Sequence, residues 1–148
     1  MKRIVIGFML LVSNLVWAQE KTVRAADLIQ GNARRLVLED VRSLIKVGTR
    51  VFQIPGTGRS ERRWTNQENG TFLASIAGAG VGATTGQGKW EVKEDGTFCI
   101  DVAWSFSGPG KTENWCRAVY EMKGTLYLAP VDLEKNRDKS YGLVEFKN

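Results

Sequence analysis

The clearest pattern in the chain is an alternation of apolar and polar side chains between residues 98 and 106. Phe98, Ile100, Val102, Trp104 and Phe106 take every second position, with Cys99, Asp101, Ala103 and Ser105 between them. Five apolar residues in strict period two predict a strand with one buried face. Ser107-Gly108-Pro109-Gly110 turns the chain, and Trp115 to Met122 returns it. Shorter apolar runs predict further strands over 49–54, 72–77, 89–93, 126–131 and 142–146.

A repeated strand–turn–strand unit organises this half. Trp64 to Phe72 and Trp90 to Phe98 both read W-x5-G-T-F, and Tyr120 to Leu126 is a shortened echo. In each copy an Asn-Gly, Asp-Gly or Lys-Gly pair supplies the positive φ that a tight hairpin requires. Seven or eight short strands in this arrangement predict a mainly β fold: an antiparallel meander closing into a small barrel or curled sheet. The front differs. Val23 to Gln30 has helical character and ends at Gly31-Asn32, a C-cap pair. Leu38, Val41, Leu44 and Ile45 fit a second short helix, although Leu36-Val37-Leu38 reads equally as strand.

One local conflict bears on function. A disulfide between adjacent strands requires both cysteines on one face, so Cys116 shares the outer face of Cys99. Trp115, Arg117, Val119 and Glu121 then point inward, and a buried arginine and glutamate are costly unless paired or solvated. Either a bulge near Trp115-Cys116 switches the faces, the blander reading, or the interior holds a polar, hydrated pocket.

The N-terminus reads as an address. Lys2 and Arg3 precede an apolar run from Ile4 to Val16, and Val16-Trp17-Ala18 resembles a cleavage site. Residues 1–18 are therefore expected to be a signal peptide, and 19–148 a single β-rich domain with a helical segment, 19–47, packed on it. The alternative, an uncleaved membrane anchor, is short against the roughly 20 residues a span needs. No cysteine follows the run, which argues against a lipid anchor. Export to an oxidising compartment predicts one disulfide, Cys99–Cys116.

The chain of 148 residues carries a formal charge of +5, with 43% hydrophobic and 25% charged residues. Loss of Lys2 and Arg3 lowers the charge to +3. Ten basic and five acidic residues lie in 19–65, against nine and eleven in 66–148. A basic front half suits an anionic partner, but no basic helix or basic-aromatic strip of the nucleic-acid kind is present. Histidine is absent, which excludes a Ser-His-Asp triad, a Cys-His pair and any His-ligated metal. Two cysteines are too few for a four-cysteine zinc site.

Other chemical motifs are weak. Gly78-Ala79-Gly80-Val81-Gly82-Ala83 looks like a dinucleotide fingerprint but lacks the following helix of a βαβ unit. Residues 77–88 read instead as a long flexible hairpin loop, a lid or a surface excursion. Asn69-Gly70-Thr71 is a glycosylation sequon that doubles as a hairpin turn. Asp101, Glu113 and Glu121 are available for acid–base work, but their spacing specifies no paired site. Trp64, Trp90, Trp104 and Trp115 suit a core, or the lining of a hydrophobic cavity.

Gly88-Lys89-Trp90, Asp95-Gly96-Thr97-Phe98-Cys99 and Glu113-Asn114-Trp115-Cys116-Arg117 with Tyr120 together resemble the domain of unknown function 995, an uncharacterised proteobacterial family of secreted proteins. The resemblance is best over residues 86–130. It implies export, the paired cysteines and a lipocalin-like sheet, and supplies no catalytic residues. Gly88-Lys89-Trp90 is also similar to the G-x-W of lipocalins, whose motif lies near the chain start rather than centrally.

These readings combine into one expectation: a periplasmic or secreted, non-enzymatic, lipocalin-like domain without metal or cofactor. It is expected to bind a small apolar or amphipathic ligand through Trp90 and Trp104, with Arg117 neutralising an acidic headgroup if no bulge turns it outward. The alternative is an envelope-protein-binding module, of inhibitor or immunity type, acting through a basic edge at Arg59, Arg62 and Arg63. Neither reading involves nucleic acid or a membrane span after signal cleavage.

Overall fold

A computed structural model describes residues 22–56, 60–78, 81–105 and 111–148. The expected signal peptide at 1–18, Arg59, Phe106 and the expected turn at 107–110 lie outside the described residues. The described residues form ten strands: β1 (Thr22–Arg24), β2 (Arg34–Arg35), β3 (Arg50–Gln53), β4 (Glu61–Asn66), β5 (Thr71–Gly78), β6 (Val81–Val92), β7 (Phe98–Trp104), β8 (Thr112–Met122), β9 (Thr125–Ala129) and β10 (Ser140–Lys147). Two short helices, α1 (Ala25–Gln30) and α2 (Leu38–Leu44), and a 3-10 turn at Glu134–Asn136 complete the regular structure of the described residues.

Strands β3 to β10 pair antiparallel, each with the next, and β10 returns to β3 through Val144–Gln53 to Lys147–Arg50. The sheet is thus a closed, eight-stranded, up-and-down barrel, consistent with a lipocalin-like fold. Closure leaves these strands no free edge along most of their length. The repeat seen in the sequence has a simple geometric meaning. Gly70, Gly96 and Gly124, at φ of 74°, 78° and 76°, turn the β4–β5, β6–β7 and β8–β9 hairpins. Every second hairpin of a meander lies at the same end of the barrel, so one unit is one down-and-up pair of strands.

That end is closed. The Gly96 turn packs against the start of α2, the Arg35 guanidinium donates to the Asp95 carbonyl at 2.9 Å, and β2 extends the sheet by pairing with β8 at Glu121 and Tyr120. Leu36, Val41 and Ile45 enter the barrel core from this segment. Helix α1 lies elsewhere: Ala25 and Leu28 cover the outer face of β8, β9 and β10 at Ala118, Tyr120, Tyr127, Ala129 and Tyr141. A second small core therefore sits outside the barrel wall. The predicted N-terminal helix begins later than expected, because Val23 and Arg24 pair with Tyr141 and Ser140 as strand β1.

The middle of the barrel is filled by aromatic rings. Trp64 stacks on Phe72 and Phe98 at centroid distances of 5.3 and 6.5 Å, and Phe98 meets Trp115 and Phe146 edge-on at 6.0 and 6.2 Å. These rings decide the character of β6, which the sequence reading placed largely in a flexible loop. The described part of that loop is strand instead, paired with β5 from Gly78–Val81 to Thr71–Lys89, with a register shift between Ile76 and Gly78. Gly86 and Gly88 occupy inward positions. A Cβ at Gly86 would lie 2.6 Å from the Trp104 ring, and one at Gly88 would lie 2.6 Å from the Phe72 ring. Glycine is required there by close packing, not by mobility.

Candidate functional site

The conflict around Cys116 resolves against the bulge. Strands β7 and β8 pair without interruption from Phe98–Arg117 through Cys99–Cys116 and Ile100–Trp115 to Ala103–Thr112. Cys99 and Cys116 are direct cross-strand neighbours, their Cα atoms 4.0 Å apart, and are joined as a disulfide. With the register unbroken, Glu113, Trp115 and Arg117 stay on the inward side of β8.

The interior answers this polarity in two ways. Glu113 is paired: Arg62 Nη1 donates to its Oε2 at 2.5 Å and Trp104 Nε1 to its Oε1 at 3.0 Å. The Arg62 guanidinium also lies 5.6 Å from the centre of the Trp104 ring. Arg117 is different. Among the described residues it makes no hydrogen bond or ion pair, and its guanidinium instead packs over the Trp115 ring at 4.5 Å and near the Tyr141 ring at 5.7 Å. Burial lowers the pKa of Arg117, and Arg62 adds to that effect while Tyr141 and Glu113 oppose it. Burial likewise raises the pKa of Tyr141, against the pull of Arg117.

More hydrogen-bonding capacity goes unused nearby. Arg62 Nε, Trp64 Nε1, Trp115 Nε1 and Gln53 Oε1 are buried without partners. Buried polar atoms in this state are uncommon and call for an explanation such as a bound molecule or water.

The barrel wall is incomplete beside Arg117. Strand β9 has five residues against eleven in β8. The Thr112–Arg117 stretch therefore has β7 on one side and, among the described residues, no strand on the other. A cleft of about 590 Å³ opens there. Trp115, Pro130, Tyr141 and the disulfide sulfur-bearing Cys116 supply apolar surface, while Arg117, Lys139, Ser140 and Asn136 supply polar groups.

The predicted ligand residues are thus only partly brought together. Trp104 contacts the Arg62–Glu113 pair, and Arg117 lies four residues from Glu113 along β8. Trp90 is opposite Ile100, about 13 Å along the strand from the level of Trp104, and its Nε1 donates to the Gln67 carbonyl at 3.3 Å. The predicted basic edge is divided. Arg62 points into the barrel, whereas Arg63, on the opposite face of β4, lies over Phe52 and pairs with Glu61. Asp101 is on the outer surface, and Glu121 pairs with Arg34 at 2.7 Å. Lys139, Tyr141, Asn136 and Gln53 were not singled out from the sequence. Only the inward parity of Arg117 signalled that polar surroundings were needed.

No helix in the described residues is long and apolar enough to cross a membrane. No curated protein and no solved structure matches the chain. A family described as protein of unknown function (DUF995) matches residues 12–132, which takes in strands β1 to β9 but not Asn136, Lys139, Ser140 and Tyr141 of the cleft. The chain belongs to the DUF995 family, and within it presents a closed barrel with a partly polar interior and a side opening.

Proposed function

We propose that this protein is an exported, non-enzymatic binding protein that holds a small amphipathic molecule at the side opening of its barrel. The observation that carries the reading is the opening itself. The short β9 leaves the inward half of β8 accessible, and the cleft combines aromatic walls with a few convergent polar groups, the usual make-up of a small-molecule site. The filled centre of the barrel, stacked from Trp64 to Phe146, directs a ligand to this side cleft instead of a deep axial cavity.

Export is supported by the apolar N-terminal run and by the disulfide, which is compatible with an oxidising compartment. The absence of histidine from the chain supports a binding role over histidine-based nucleophilic catalysis.

Tryptophan fluorescence tests the binding reading, because Trp115 lines the cleft. Titration of the folded protein with dodecanoate and, separately, dodecanol is expected to give a saturable spectral shift with at least one of them. The protein isolated from the cell envelope is also expected to carry a small-molecule adduct in native mass spectrometry. No adduct, together with an unchanged spectrum for both amphiphiles, overturns the reading.

A further inference from the structure

Resting on that reading, we infer that the cleft selects an amphiphile with an oxyanion headgroup, carboxylate or phosphate monoester, bound by the Arg117 guanidinium with support from Lys139.

Charge balance carries the inference. Of the two arginines that face inward near the opening, Arg62 is already matched by Glu113. Arg117 has no paired acid among the described residues, and the described residues lining the cleft include two cations and no carboxylate. A guanidinium held in partly buried surroundings without an anion is an unfavourable arrangement that an incoming oxyanion relieves. Its geometry suits the task. The guanidinium lies over the Trp115 ring and near the Tyr141 ring, and among the described residues none of its N–H donors is engaged, so they are available for the paired acceptors of a carboxylate or phosphate. The apolar remainder of the molecule then lies along Trp115, Pro130 and Tyr141. Glu113 does not repel the headgroup, since Arg62 and Trp104 occupy both of its oxygens.

Dodecanoate, dodecyl phosphate and dodecanol share one tail and differ in headgroup, so their affinities separate the contributions. The anionic pair is expected to bind at least tenfold more tightly than dodecanol, and the stronger of the two identifies the preferred oxyanion. Arg117→Met keeps an apolar stem against Trp115 and removes the charge. It is expected to reduce anion affinity about tenfold and dodecanol affinity less than twofold, which removes most of the preference for the anions. Lys139→Gln lies on the exposed rim, where folding is insensitive to the change, and is expected to weaken anion binding about threefold. Equal affinity for dodecanol and both anions overturns the headgroup assignment and leaves the binding reading intact. Failure of all three to bind overturns the headgroup assignment, and overturns the binding reading as well when native mass spectrometry finds no adduct. If Arg117→Met does not fold, unchanged anion affinity in Lys139→Gln, together with no loss of affinity from 0.05 to 0.5 M salt, overturns the assignment.

Discussion

Arg62 on β4 and Glu113 on β8 meet across the barrel at 2.5 Å, although their strands are not neighbours in the sheet. Their side chains are only 17% and 22% exposed, so water screens the pair weakly. A partly buried pair of this kind does not by itself argue for stability, since desolvation offsets much of the attraction. What it does is set a penalty on breaking it. Glu113→Ala leaves the Arg62 charge and Trp104 Nε1 without their acceptor and is expected to cost roughly 2 kcal/mol. Urea denaturation at constant m-value measures this, and a loss below about 0.5 kcal/mol would show that water replaces the carboxylate at no cost.

The disulfide closes a loop between residues 17 apart in sequence. Constraint of the unfolded chain by a loop of this length is worth about 3 kcal/mol. The Cys99→Ala/Cys116→Ala protein is expected to lose about that much stability while keeping its barrel, since both cysteines lie on the outer face. Intact-mass measurement with thiol alkylation is expected to find two reactive thiols only after reduction. Free thiols in protein isolated under oxidising conditions would refute the bond.

Gly86 and Trp104 are coupled through space. Gly86→Ala places a methyl group against the indole and the Ala103 carbonyl, and overpacking of this kind costs about 1–3 kcal/mol. Trp104→Leu removes the ring at its own large cost. In the double variant the added methyl is expected to be better tolerated, giving a favourable coupling of about 1 kcal/mol in a double-mutant cycle. Strict additivity would mean that the Ala103 carbonyl, not the ring, excludes the methyl.

The Gly96 turn carries a pH-dependent element. Thr97 donates its hydroxyl to Asp95 Oδ1 at 2.7 Å and its backbone N–H at 3.0 Å. These bonds hold the Asp95 carboxyl below its ordinary value of 3.8. A carboxyl whose folded pKa is depressed contributes stability that is fully present above the unfolded value and is lost as pH falls through the folded one. Asp95→Asn removes that titration. Urea midpoints of the two proteins are therefore expected to differ by a constant amount above about pH 5 and to converge below pH 3.8. A gap that stays constant down to pH 2.5 would assign no titration to this turn.

The local sequence was sufficient for most of the wall. Period-two alternation in Phe98–Trp104, turn pairs at Gly70, Gly96 and Gly124, and the 3.6-residue spacing of Val41, Leu44 and Ile45 each act over a few residues, so the pattern alone predicts their structure. Cys99 and Cys116 belong to the same class, because parity on two neighbouring strands determines which side chains share a face. Strand β6 escaped this reading for a physical reason. Its inward positions at 86 and 88 are glycines, which carry no hydrophobic signal. The rings that occupy their space come from Trp104 and Phe72, on the flanking strands. The pattern left a closed barrel and a curled sheet as alternatives, since closure rests on the pairing of β3 with β10, whose residues lie about 90 apart in sequence. Parity also placed Arg117 on the inner face, but only the uninterrupted β7–β8 register removed the alternative of a bulge. The fates of the inward charges were tertiary decisions. Arg62 and Glu113 are separated by 51 residues in sequence and neutralise one another only because the sheet curls until β4 faces β8. Among the described residues Arg117 remains unmatched, on the stretch of β8 that β9, ending at Ala129, does not reach.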